Sequence, residues 1–160
     1  MGAVSKILKQ NLAIKIYPSN VLVNGDVKAR AVWICGYRSA VDNCRGHSVI
    51  VDLPPDYKGE DTGPTALELA VMALAGCMAT IFKMVADKRK LEYSDLVLEI
   101  EAEKGEKTIE KCKGILSICT KADMSEVEKT LKSTLEVCPV GILFDRAGVK
   151  MEWEIKVESP

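Results

Sequence analysis

The sequence predicts a single α+β domain over residues 1–160, on three observations. The first third alternates apolar and polar residues with the period of strands. A long, strongly apolar helix follows in the middle. The remainder reads as strand, strand, helix, strand, so strands and helices are grouped rather than regularly alternated.

In the first third, Leu12, Ile14 and Ile16 alternate with polar neighbours, and Val21 and Val23 lead into Asn24-Gly25, a strong hairpin signal. Val27, Ala29, Ala31, Trp33 and Cys35 then share one face of the returning strand. Another extended segment is expected over residues 45–53, stopped by Pro54-Pro55. The polar, glycine-punctuated stretch DYKGEDTG reads as a loop.

Pro64 and the Thr65-x-x-Glu68 capping-box pattern open the central helix, which is expected to run to about Arg89. Its first four turns are apolar on nearly every face, and a helix without a polar face must be enclosed on all sides. A domain of 160 residues can hardly do that alone, so a partner subunit is expected to help cover it. Lys83, Lys88, Arg89 and Lys90 suit a helix C-terminus. Strands are expected at about 96–104 and 108–120. Asp123-x-x-Glu126 starts a second helix, to about Val137. Pro139 forces a boundary, because the residue before a proline avoids the α region, yet it suits the first position of a short new helix ending near Gly148. In the last strand Val149, Met151, Trp153, Ile155 and Val157 alternate with Lys150, Glu152, Glu154 and Lys156.

Composition narrows the function. A formal charge of −1 and the absence of a Lys/Arg run argue against nucleic acid and anionic membrane surfaces. The N-terminal residues lack the apolar core and cleavage site of a secretory signal. The apolar run from Leu69 to Phe82 has 14 residues, short of the roughly 17–25 that span a bilayer. A soluble, cytoplasmic protein is expected. Cysteines at 35, 44, 77, 112, 119 and 138 include no CxxC, and His47 is the one histidine. Zinc-ribbon and thioredoxin spacing are therefore lacking, and no metal or cofactor is expected.

Local context sorts the cysteines. Cys77 lies within the enclosed helix between Ala75-Gly76 and Met78-Ala79, small neighbours that permit close approach of a backbone or ligand. Apolar surroundings raise a thiol's pKa unless a cation compensates, so a packed core thiol is the competing role. Cys138, ahead of Pro139, is expected at the N-cap of the short helix, where backbone N–H groups and the dipole favour a thiolate; a buried packing role is the alternative. Cys35 fits an apolar strand face. Cys112 and Cys119, seven apart on one strand, point to opposite faces. Cys44 sits in polar VDNCRGH, and His47, near Arg45 and Asp52, reads as a hydrogen-bonded strand residue rather than the base of a Cys-His pair.

Residues 63–69, GPTALEL, continuing into ALAGCMA around Cys77, resemble the central helix of the OsmC/Ohr family, and Cys138-Pro139-Val140 resembles that family's second cysteine motif. The approach through Arg45-Gly46-His47, Asp52-Leu53-Pro54 and Gly59-Glu60-Asp61 is also similar, as is the order of elements. The resemblance implies an OsmC-like fold in an intertwined homodimer, with the long helices packed centrally and the active sites at the subunit interface. It further implies a thiol peroxidase acting on organic hydroperoxides. Cys77 would attack the O–O bond, Cys138 would resolve the sulfenic acid as a disulfide, and an external dithiol would restore both. The family's activating arginine is matched best by Arg38, with Arg45 as rival. Its glutamate stands ten residues before the first cysteine, where this chain has Leu67; Glu68 is nine before. Nine residues at 100° each put Glu68 on the opposite side of a straight helix from Cys77, which favours a capping role over a catalytic one. Two other functions stay open: a non-catalytic module binding a small apolar or thiol ligand at the dimer interface, and a redox sensor using the same cysteines.

Overall fold

The computed structural model describes residues 27–160. The expected strand at Leu12, Ile14 and Ile16, and the hairpin of Val21 and Val23 at Asn24-Gly25, lie outside the described residues. Two compact units divide the chain, the first ending at Ala66 and the second spanning Leu67–Pro160.

In the first unit, β1 (Arg30–Cys35), β2 (Arg38–Asp42) and β3 (Ser48–Val51) form an antiparallel sheet in that order. The expected segment over 45–53 is corrected to a shorter strand. Cys44 (φ 58°) and Gly46 (φ 94°) take left-handed backbone conformations that turn the chain before β3 can begin. Strand β2 is an addition, and Gly36 (φ 49°) makes the tight turn between it and β1. The apolar face assigned to Cys35 is also corrected. Every residue of β1 is exposed, Trp33 at 69%, and Cys35 with them. Among the described residues β1 has a strand neighbour on one side only, and alternation identifies an apolar face without supplying what covers it. After β3 a 3₁₀ turn (Pro55–Tyr57) follows the prolines. Gly59 runs against the backbone of Leu53, where a Cβ would stand 1.7 Å from a carbonyl oxygen, so this bend requires glycine.

The second unit begins with α1 (Ala66–Arg89), one residue from its expected start. Leu74, Met78, Phe82 and Ala86 recur every four residues and are fully buried. Other faces remain open in this chain; Met72 and Met84 are each about half exposed. At 24 residues α1 is long and apolar enough to cross a membrane by length and composition, longer than the apolar run suggested, but its buried stripe packs in the core of its own unit. Lys90 (φ 58°) ends it.

Strands β4 (Asp95–Lys104) and β5 (Ile109–Cys119) pair antiparallel. The chain then crosses through α2 (Met124–Val137) and α3 (Pro139–Arg146) to β6 (Lys150–Glu158), which lies parallel to β5. A parallel neighbour needs such a crossover, because a tight hairpin joins only antiparallel strands. Asp123 caps α2 by accepting the Glu126 N–H at 2.9 Å, as expected. Cys112, Leu116 and Ile118 of β5 join the stripe of α1, with Leu91, Val127 and Leu131, in one core. Gly114 fits beneath Trp153, whose ring carbons stand 2.2 Å from where a Cβ would be. The opposite face carries the cross-strand pairs Lys111–Glu152 (3.1 Å) and Lys113–Glu154 (2.9 Å). Exposed pairs of this kind contribute at most about 1 kcal/mol each, so the unit rests on its apolar face.

Candidate functional site

Cys77 and Cys138, 61 residues apart, come together in the second unit. Their sulfurs are 3.2 Å apart as free thiols, with the Cys138 S–H donating to Cys77 Sγ. Cys77 belongs to α1 and is partly exposed, whereas Cys138 is fully buried. A Cβ on Gly76, the residue before Cys77, would meet nothing within 4 Å.

The junction of α2 and α3 fixes the second thiol. Cys138 is extended (φ −70°, ψ 111°), as the proline after it demands, and it closes one helix while opening the next. Its N–H donates to the Thr134 carbonyl at 2.9 Å, and its own carbonyl accepts from Ile142 N–H at 2.9 Å. Its sulfur accepts the Gly141 N–H at 3.4 Å, the N-cap arrangement expected from the sequence. A Cβ on Gly141 would lie in ordinary van der Waals contact, 3.5 Å from Cys138 Sγ and 3.8 Å from Met78 Sδ. The expected tilt towards a thiolate is corrected. Burial pushes the Cys138 thiol up, outweighing the Gly141 N–H, and its hydrogen bond to Cys77 acts in the same direction as burial. A helix N-terminus favours an anion, but the Gly141 and Val140 N–H groups do not offset the lost hydration of a fully buried sulfur.

Arg38 lies in the first unit, at the start of β2. Its guanidinium contacts two carboxylates, Glu60 Oε2 at 2.5 Å and Asp52 Oδ2 at 3.4 Å. Asp52, which the sequence places near His47 and in the Asp52-Leu53-Pro54 stretch, is the anchor of this cluster. It is 2% exposed and accepts the Thr62 hydroxyl (2.7 Å), the Thr62 N–H (3.3 Å) and the Leu53 N–H (2.9 Å). A charged side chain is seldom so buried unless paired, and an aspartate closing an apolar strand ahead of Leu-Pro-Pro is the signal that could have found it. Arg45, the rival, is exposed in the turn before β3 and donates its backbone N–H to Asn43. His47 bonds Asn43 (3.0 Å), in the turn rather than on a strand; Cys44 is partly exposed and donates its N–H to Asp42. Glu68, in the first turn of α1, borders a shallow groove of about 360 Å³ with Val71, Met72, Ala75, Ile100 and Ala102. Cys112 is buried and Cys119 partly exposed, as strand geometry required. Among the described residues no cluster of three or more His, Cys, Asp or Glu could hold a metal ion.

The Asp52 cluster predicts an acid-dependent stability. The Thr62 hydroxyl, with the backbone N–H groups, holds the Asp52 carboxyl at about 2, below its ordinary 3.8. Its folded value is depressed, so the stabilisation is complete above the unfolded value and is lost as pH falls from there through about 2. Urea unfolding of Asp52→Asn between these pH values should show a flatter acid dependence than the parent. Parallel pH profiles would rule the contribution out.

The chain belongs to the OsmC-like protein family, which matches residues 59–154 and so includes both cysteines. Solved structures share the fold over nearly their whole length. An OsmC-like protein from Mycoplasma pneumoniae is 11% identical, with a TM-score of 0.75 over 84% of this chain and 98% of its own. An organic hydroperoxide resistance protein OsmC from Legionella pneumophila is 20% identical, with a TM-score of 0.67 over 82% and 97%. An organic hydroperoxide resistance protein from Elizabethkingia anophelis is 14% identical, with a TM-score of 0.64 over 87% and 99%. No curated relative matches the sequence.

Proposed function

We propose that this protein is a thiol peroxidase that reduces organic hydroperoxides, working as a cytoplasmic homodimer in defence against oxidative stress. The Cys77 thiolate attacks the hydroperoxide: an S–O bond forms, the O–O bond breaks, and the alcohol leaves with a proton. Cys138 then attacks the Cys77 sulfenic acid, releasing water and closing a disulfide, and an external dithiol returns both thiols. The observation that carries this reading is the pair of free sulfurs at 3.2 Å, one partly exposed and one fully buried. A disulfide has sulfurs about 2.05 Å apart, so closing the bond asks for a shift of roughly 1 Å. Family membership, and similar folds that carry the name of organic hydroperoxide resistance, support this choice of substrate class. Arg38 is proposed as the cation that favours the Cys77 thiolate. Glu68 is proposed as a helix-end carboxylate rather than a proton carrier, since its spacing sets it opposite Cys77.

The test is intact-mass and peptide mapping after one equivalent of cumene hydroperoxide. The expected product has lost two hydrogens, mapped to a Cys77–Cys138 disulfide that a dithiol reverses; Cys77 left unmodified would refute the proposal. Cys138→Ser should consume one equivalent of hydroperoxide per chain and stop at a Cys77 sulfenic acid that dimedone captures. Continued turnover by this variant at the parent rate would remove Cys138 from the mechanism.

The apolar groove beside Glu68 supports a second reading, a module that binds a small ligand without turnover. A Vibrio cholerae organic hydroperoxide resistance protein of similar fold (13% identity) carries captopril in one of its active sites. A ligand retained in native mass spectrometry, without hydroperoxide consumption, would favour this reading.

A further inference from the structure

We propose that the external dithiol enters the oxidised protein at Cys77, with Cys138 as the leaving thiolate on the N-terminus of α3. This inference rests on the disulfide step of the reading above and goes beyond it, because a disulfide has two sulfurs and either could be attacked.

Access separates them. Exchange requires a thiolate to approach one sulfur along the S–S axis from the side opposite the other. Cys77 is partly exposed on α1, while Cys138 is fully buried. An attacker at Cys138 would have to enter the core, where that residue is 0% exposed and its sulfur already accepts the Gly141 N–H. The charge released has a matching asymmetry. Cys138 occupies an N-cap, where the Gly141 N–H at 3.4 Å meets the sulfur that departs. Cys77 lies inside α1, whose backbone N–H groups are taken up by the helix itself.

The step balances. The reductant's thiolate forms a bond to Cys77 Sγ as the Cys77–Cys138 bond breaks, and Cys138 leaves with the electron pair and takes a proton from solvent. The second thiol of the reductant attacks its own sulfur in the mixed disulfide, releases the Cys77 thiolate, and leaves as the two-electron-oxidised dithiol. Burial that raises the Cys138 thiol opposes its departure but favours its rapid reprotonation, which prevents it from re-attacking before the second thiol acts.

The test oxidises the full chain with diamide, so that it does not depend on peroxide chemistry. Thiols outside the bond, including Cys35, Cys44 and Cys119, are capped with iodoacetamide. Glutathione is then added as a probe for short times, followed by acid quench and peptide mapping. Glutathione is expected on Cys77 over Cys138 by roughly tenfold or more; equal labelling or a preference for Cys138 would overturn the proposal. A second measurement covers an adduct too short-lived to map. Ellman's reagent should label Cys77 in Cys138→Ala at least about tenfold faster than Cys138 in Cys77→Ala, and comparable rates would also overturn it. If diamide closes no Cys77–Cys138 bond, the proposal fails together with the pairing. If diamide closes the bond and cumene hydroperoxide does not, the peroxidase reading fails and this inference stands.

Discussion

Cys77→Ser is expected to lower kcat/KM for cumene hydroperoxide by about a thousandfold or more, equivalent to roughly 4 kcal/mol of lost transition-state stabilisation. A serine hydroxyl is essentially un-ionised at neutral pH, so the variant offers an O–H where the reaction needs an anionic sulfur. The remaining thiols do not replace it. Cys138 is fully buried and its thiol is pushed up; Cys112 is buried and pushed up by the same cause. Cys35, Cys44 and Cys119 are at least partly exposed and can react once, but among the described residues the sulfur–sulfur contact is that of Cys77 with Cys138. The assay is continuous hydroperoxide loss with excess dithiol, alongside thermal unfolding to show that the variant is folded. Losing one oxygen-for-sulfur exchange at a half-buried position should leave the melting curve close to the parent's. A folded variant that turns over at the parent rate would defeat the peroxidase assignment.

The contrast with Cys138→Ser makes the expectation specific. Both variants stop the cycle, but only the one that keeps Cys77 should consume its single equivalent of hydroperoxide. Equal residual reactivity in the two would mean that the sulfurs are interchangeable, which the difference in their burial argues against.

The parts of the chain legible in advance are those whose signal is local. Asp123, Pro139 and the alternation of Met151, Trp153, Ile155 and Val157 act through neighbouring backbone and strand periodicity, so α2, α3 and β6 fall where expected. Strand β2 carries no such mark. Its RSAVD sequence has one β-branched residue, and its ladder is supplied by β1 and β3 rather than by its own propensity. The 3.2 Å between Cys77 and Cys138 depends on how α1 and the α2–α3 junction pack, which no spacing of 61 residues encodes. The upward push on Cys138 is likewise a matter of burial: the cap was visible in the sequence, and the loss of water around it was not. Asp52 is less legible for the complementary reason, since its partners come from residues 38 and 62 and only folding collects them.

Phe82→Ala should destabilise the protein by about 3–5 kcal/mol, a large share of the roughly 5–15 kcal/mol that holds a typical domain together. Phe82 is fully buried in the α1 stripe with Leu74, Met78 and Ala86, and its ring meets Tyr93 edge-on at a centroid distance of 6.3 Å. Truncation removes apolar surface from the core and that aromatic contact together, and the surrounding strands and helices cannot close fully over the gap. Phe82→Leu, which keeps most of the volume, should cost roughly 1–2 kcal/mol. The same core holds α1 in place beneath Cys77, so the larger lesion should also loosen the sulfur pair. Equilibrium urea unfolding gives the stability change, and the yield of the Cys77–Cys138 disulfide after diamide, under conditions where the variant is folded, gives the consequence for the site. If Phe82→Ala unfolds at the parent's midpoint, the buried stripe is not what anchors α1. If it is destabilised as expected while the disulfide forms at full yield, the cysteine pair is positioned by the α2–α3 junction and its own helix turn alone.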